Sequence, residues 1–76
     1  LEWLDNSAGE RVLSFLRAAD EETLLVLINL KEAEAHGETS APGTWESVFG
    51  DGSAAADEGK IAFTLAPYGF AVFRRQ

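Results

Sequence analysis

Thirteen acidic side chains against six basic ones dominate the polar chemistry of this 76-residue sequence. The acids come in clusters. Asp20, Glu21 and Glu22 adjoin, Glu32, Glu34 and Glu38 share a polar stretch, and Asp51, Asp57 and Glu58 share a Gly- and Ala-rich one. Acid–base hydrolysis needs two carboxylates held about 5 to 10 Å apart across a groove. These acids lie among turn formers, where a solvated loop accounts for them. Asp51, Ser53, Asp57 and Glu58 hint at calcium, but Ala55 stands where an EF-hand loop needs an oxygen ligand and no twelfth-position Glu follows. His36 is the sole histidine and there is no cysteine, which excludes His clusters, thiolate metal sites and disulfides. Neither a G-x-S-x-G elbow nor a Gly-rich phosphate loop occurs. The sequence therefore assigns no catalytic, metal-ligating or cofactor-binding residue.

A different chemistry belongs to Trp3, Trp45 and Tyr68. Flat aromatic faces stack on sugar rings, and they equally bury area in a core or against a neighbouring domain. With Leu25 and Leu27 they form the candidate contacts to a sugar or to a domain interface.

Composition bounds the frame that must hold these residues. At 46 % apolar and 11 % aromatic, the chain is globular in character and reads as one domain over residues 1–76. A domain of this size buries only about 60 to 65 % of its unfolded surface, so its stability margin is thin. The formal charge of −7 repels phosphate backbones and anionic lipid, which argues against nucleic-acid and membrane partners. No apolar run reaches membrane-spanning length, and no signal-peptide pattern is present. A start at Leu1 without an initiator Met fits a piece of a longer protein. The absence of cysteine is compatible with a cytoplasmic location and tilts the reading that way without fixing it.

The elements read as strands. "KIAFTLA" (60–66) alternates Ile61, Phe63 and Leu65 against Ala62, Thr64 and Ala66, and "FAVFRR" (70–75) alternates likewise. Between them Pro67 ends one strand, Gly69 is expected to supply an unusual backbone angle, and Tyr68 to turn its ring inward. Over residues 7–30 two readings compete. Ser7 and Glu10 have capping-box spacing, and Val12, Phe15, Leu16 and Ala19 form a helical stripe, allowing a helix from Ala8 to Asp20. "RVLSFLRAA" and "TLLVLINL", joined by "DEE", fit strand–turn–strand better, because the second run is strand-length and rich in Leu, Val and Ile. The polar stretch 31–43 has no assigned structure, and "GDGSAAADEG" (50–59) reads as a loop. Turn signals every eight to twelve residues suggest an all-β sandwich or small barrel.

The order of these pieces resembles the C-terminal domain of the α-amylase family, glycoside hydrolase family 13. "VLSFLRAADEETLLVLINL" is similar to its opening strand pair, "GTWESVFGDG" to its Gly-x-Trp segment, and "FTLAPYGFAVFRR" to its closing strand. The resemblance implies an all-β, antiparallel Greek-key β-sandwich packed behind a catalytic (β/α)8 barrel of the same parent chain. The parent would act on α-glucans or related α-glucosides. The catalytic acids of such enzymes lie in the barrel, so no catalytic role is carried to any residue here.

Within "LLVLI" (24–28), Leu24, Val26 and Ile28 point one way while Leu25 and Leu27 point the other, so both faces of the strand are apolar. A two-layer sandwich covers only one of them. The other then lies against a neighbouring domain, or beneath the polar stretch 31–43. Three functions follow: a non-catalytic domain that caps and stabilises the barrel, an autonomous carbohydrate-binding module for α-glucan, or, if residues 8–20 were helical, an α+β interaction domain.

Overall fold

The computed structural model describes residues 1–19, 21–50, 53–57 and 59–75, with residues 19, 49, 50 and 53–57 described by backbone alone. Among them are eight strands and one 3-10 turn, Gly9–Arg11. The strands are β1 (Glu2–Trp3), β2 (Val12–Ala19), β3 (Glu22–Asn29), β4 (Ala35–Ser40), β5 (Trp45–Gly50), β6 (Ser53–Asp57), β7 (Lys60–Leu65) and β8 (Phe70–Arg75). They form a large sheet ordered β1-β2-β3-β8-β5 and a small sheet ordered β4-β7-β6. Every pairing is antiparallel, and the chain crosses between sheets at β3–β4, β4–β5, β5–β6 and β7–β8, the non-sequential connectivity of a Greek-key sandwich.

Residues 12–19 are a strand, so the helical alternative is excluded along with the α+β domain built on it. Pairing with β3 runs in unbroken register from Val12 opposite Asn29 to Ala19 opposite Glu22. In that register Val12 faces inward and Phe15 outward, which separates two members of the helical stripe. Ser14 is buried among the inward residues, where its hydroxyl donates to the Leu4 carbonyl at 2.9 Å and accepts from Asn6 Nδ2 at 2.8 Å. Both contacts satisfy a hydroxyl that burial would otherwise penalise.

The core lies between the sheets. Leu25 and Leu27 of β3, Ala71 and Phe73 of β8, and Val12 meet Ile61, Phe63 and Leu65 of β7 and Ala35 of β4. Trp45 joins them, 7 % exposed, with its indole N–H donating to the Ala41 carbonyl at 3.1 Å. The Arg75 guanidinium lies 4.9 Å from the centroid of that ring.

Two strands go beyond the sequence reading, one in a stretch left unassigned and one in a stretch read as loop. Residues 35–40 form β4, with only Ala35 and Thr39 buried. Residues 53–57, read as part of a loop, form β6 along the other edge of β7, from Ser53 opposite Thr64 to Asp57 opposite Lys60. Alanine has little strand propensity of its own, and here the strongly alternating β7 supplies the template. Asp51 and Glu58 lie outside the described residues.

The β7–β8 corner differs from the expectation. Gly69 N–H donates to the Ala66 carbonyl at 2.7 Å, which closes a four-residue turn with Pro67 second and Tyr68 third. Tyr68, not Gly69, takes the positive φ, 55°, the angle that a type II turn requires of its third residue. The Tyr68 side chain is 64 % exposed, so it does not pack inward. Asn29 holds the corner instead. Its Nδ2 donates to the Ala66 carbonyl at 2.9 Å and the Ala33 carbonyl at 2.8 Å, while its Oδ1 accepts from Lys31 N–H at 3.0 Å.

Candidate functional site

The two outer faces of the sandwich have opposite chemistry. On the small sheet, His36 pairs with Thr64, Glu38 with Ala62 and Ser40 with Lys60, a polar surface that water solvates. On the large sheet the register aligns Trp3, Phe15, Val26 and Val72 in one row across β1, β2, β3 and β8, and Phe49 of β5 is in register with Val72. The neighbouring row holds Leu13, Ile28 and Phe70. Phe15, Val26, Val72, Leu13 and Ile28 are half-buried, Phe70 is at the exposed margin and Trp3 is 62 % exposed. Nothing among the described residues covers this face, so its side chains shield only one another. A contiguous apolar face of this kind is unusual on a solvated surface.

A charged row borders the apolar ones. Arg17, Leu24, Arg74 and Glu46 lie in register across β2, β3, β8 and β5. Arg74 is clamped from both sides. Its Nε donates to Glu46 Oε1 at 3.0 Å, its Nη2 reaches the same oxygen, and its Nη1 lies 3.8 Å from Glu22 Oε1. The hydrogen bond and charge of Glu46 raise the Arg74 pKa above its ordinary value.

The residues singled out from sequence separate into two groups. Trp3 stands on the apolar outer face and Tyr68 at the exposed corner. Trp45, Leu25 and Leu27 are core residues of this chain, the two leucines with no exposed surface, and are corrected to that role. The apolar contacts that β3 offers a neighbour are Leu24, Val26 and Ile28. Period-two alternation fixes which residues share a face but not which face is inside, and only the pairing with the small sheet decides that. Phe15 and Val72 carried no separate signal in the sequence; their place in the row follows from register.

Polar features elsewhere are either exposed or tied into the fold. An open cleft of about 490 Å³ lies where residues 5–7 cross β4, lined by Asp5, Asn6, Ser7, Glu38, Thr39, Ser40 and Lys60. The Asn6, Ser7 and Thr39 side chains among them already serve the fold. Thr39 Oγ1 donates to the Asp5 carbonyl at 2.8 Å, and Glu38 N–H donates to Ser7 Oγ at 2.7 Å. His36 is exposed beside Glu34, 3.9 Å away. Among the described residues no group of three or more His, Cys, Asp or Glu side chains is placed to hold a metal.

Comparison with known proteins gives a consistent pattern. Residues 1–72 match the family model described as maltogenic amylase, C-terminal domain. Among solved structures the chain is similar to the crystal structure of an α-amylase from H. orenii, with a TM-score of 0.69 and 22 % identity. The match covers 96 % of this chain and 16 % of that one, so this sequence spans about a sixth of its length. At that identity the likeness establishes the fold. No curated protein matches the sequence.

Proposed function

This chain belongs to the maltogenic amylase C-terminal domain family, and from that premise we propose that it is a non-catalytic sandwich that packs on, and stabilises, the catalytic barrel of an α-amylase-family enzyme. The outer face of the large sheet is the packing surface. One observation carries this reading: the row Trp3, Phe15, Val26 and Val72 is apolar across four strands, whereas the small sheet is polar on its outer face. Covering that row removes apolar area from water, the main favourable term in association. A parent enzyme acting on α-glucans fits the amylase names of the family and of the structural relative.

The test uses the full-length parent. Val26→Asn and Val72→Glu, each placed on the outer face, are expected to lower its thermal inactivation temperature while leaving the kcat of freshly prepared enzyme near wild type. Unchanged inactivation in both variants overturns the reading.

The exposure of Trp3 and Tyr68 supports a second reading, an α-glucan-binding surface, since exposed aromatic rings can stack on sugar rings. Titration with maltooligosaccharides separates the two. A saturable fluorescence or heat change abolished by Trp3→Ala or Tyr68→Ala supports sugar binding, and a flat titration removes it.

A further inference from the structure

The charged row on the outer face is asymmetric. It holds two arginines, and among the described residues only Arg74 has counter-ions beside it. Arg74 lies between Glu46 and Glu22, within hydrogen-bond reach of the first and 3.8 Å from the second. Arg17 lies in the same row on β2, across Leu24 from Arg74, and is exposed. Among the described residues no acid pairs with it. Glu22, which lies diagonal to it on β3, has Arg74 Nη1 3.8 Å from its carboxylate.

Covering the face changes what each arginine needs. A guanidinium withdrawn from water is strongly disfavoured unless a charge partner and hydrogen bonds replace its hydration. Arg74 carries those partners wherever it goes. Arg17 does not, so a surface that closes over the row must supply them. Arginine's planar fork matches a carboxylate with two parallel hydrogen bonds, better than it matches any single neutral acceptor. Resting on the packing reading above, we propose that the barrel surface received by this face is apolar with an acidic side chain placed to pair with Arg17. The apolar rows would give the contact its area, and the Arg17 pair its register. Without that pair the domain could slide along its own rows, because Val26, Val72 and Ile28 offer no directional contact.

The full-length parent tests this through limited proteolysis between the barrel and this domain, read as the rate at which the domain is released. Four variants are compared at low salt and at about 0.5 M NaCl, where charge pairs at an interface edge are screened. Arg17→Glu is expected to speed release by about tenfold or more at low salt, with a smaller effect at high salt. Arg17→Gln is expected to be intermediate, and Arg17→Lys, which keeps charge but loses the fork, the mildest. Val26→Asn reports on the apolar contact itself. If Val26→Asn speeds release and Arg17→Glu does not, the face docks but no acid meets Arg17, and this inference fails alone. If neither changes the rate, the packing reading fails with it. An Arg17→Glu effect equal at both salt concentrations also overturns the pairing, because it marks a steric change.

Discussion

Trp3 and Phe15 meet edge to face on the outer side of the large sheet, ring centroids 5.3 Å apart and planes inclined at 62°. Trp3 belongs to the two-residue β1, and Phe15 is its register partner on β2. The pair therefore ties β1 to the sheet and sets one end of the apolar row. It also makes Trp3 a reporter. In a Trp45→Phe background Trp3 is the sole tryptophan, and in the 76-residue chain its emission should be red-shifted and open to acrylamide. In the full-length parent, measured as the difference made by Trp3→Phe, the Trp3 emission should shift to the blue and resist quenching. Equal quenching in both settings would show that the row stays in water.

Trp3→Ala removes the ring pair and part of the cover over Phe15. A cost of about 1 kcal/mol in urea unfolding of the 76-residue chain is expected, the scale of an aromatic pair. A much larger loss would mean that β1 is integral to the sandwich core.

Asn29 is 1 % exposed, and its side chain satisfies three backbone groups, on residues 31, 33 and 66. Asn29→Ala leaves the Ala33 and Ala66 carbonyls and the Lys31 N–H to find other partners. Each buried group left unpaired costs about 1 to 3 kcal/mol, so a total loss of about 3 kcal/mol is expected. Asn29→Asp should also destabilise, because a carboxylate cannot donate to the two carbonyls. Chemical denaturation measures both, and a loss under about 1 kcal/mol for Asn29→Ala would show that water replaces the amide.

How much of this was legible depends on what each strand buries. β7 and β8 declare themselves by alternation and β3 as a strand-length run of Leu, Val and Ile, whereas β2 also carries a helical stripe and is told apart only by its partner run. β4 buries only Ala35 and Thr39, with Gly37 between them, too little side chain to mark a strand in a sequence. β6 is an alanine run with no contrast between its faces. β3 shows the opposite difficulty. Its two faces are almost equally apolar, so choosing Leu25 and Leu27 as outward contacts had no local evidence against it. The polar keystones were hidden for another reason. Ser14 and Asn29 look like ordinary turn or strand residues until pairing buries them, and one partner of Asn29 lies as far away as residue 66.

Gly37 is where the N-terminal segment presses on β4. A Cβ there would sit 2.7 Å from Ser7 Oγ, 3.1 Å from Ala8 N and 3.2 Å from Phe63 Cζ. Residues 5–8 are held to β4 by the Asn6–Thr39 bridge and by Ser7 N–H donating to the Glu38 carbonyl at 2.9 Å. Gly37→Ala forces this segment outward, at a cost of about 1 to 3 kcal/mol typical of overpacking. Amide exchange should accelerate first at Ser7 and Glu38, before the β2–β3 ladder is affected. Uniform acceleration across both sheets would show that the segment and the core open together.

Tyr68 occupies a backbone angle that favours glycine, with its ring in solvent. For an L-residue the left-handed region costs about 1 to 2 kcal/mol. Replacing the tyrosine by glycine relieves that cost but adds freedom to the unfolded chain, worth about 0.5 to 1 kcal/mol in the other direction. Tyr68→Gly should therefore leave the 76-residue chain as stable as before or up to about 1.5 kcal/mol more so. Pro67 and the Gly69-to-Ala66 hydrogen bond still define the turn. Thermal unfolding of this variant decides what the ring does. A stability gain means that the tyrosine contributes nothing to the fold, and its place at an exposed, strained corner then points to a contact outside this chain. A loss above about 1 kcal/mol would mean that the ring covers part of the corner, and the strain would have a purely structural explanation.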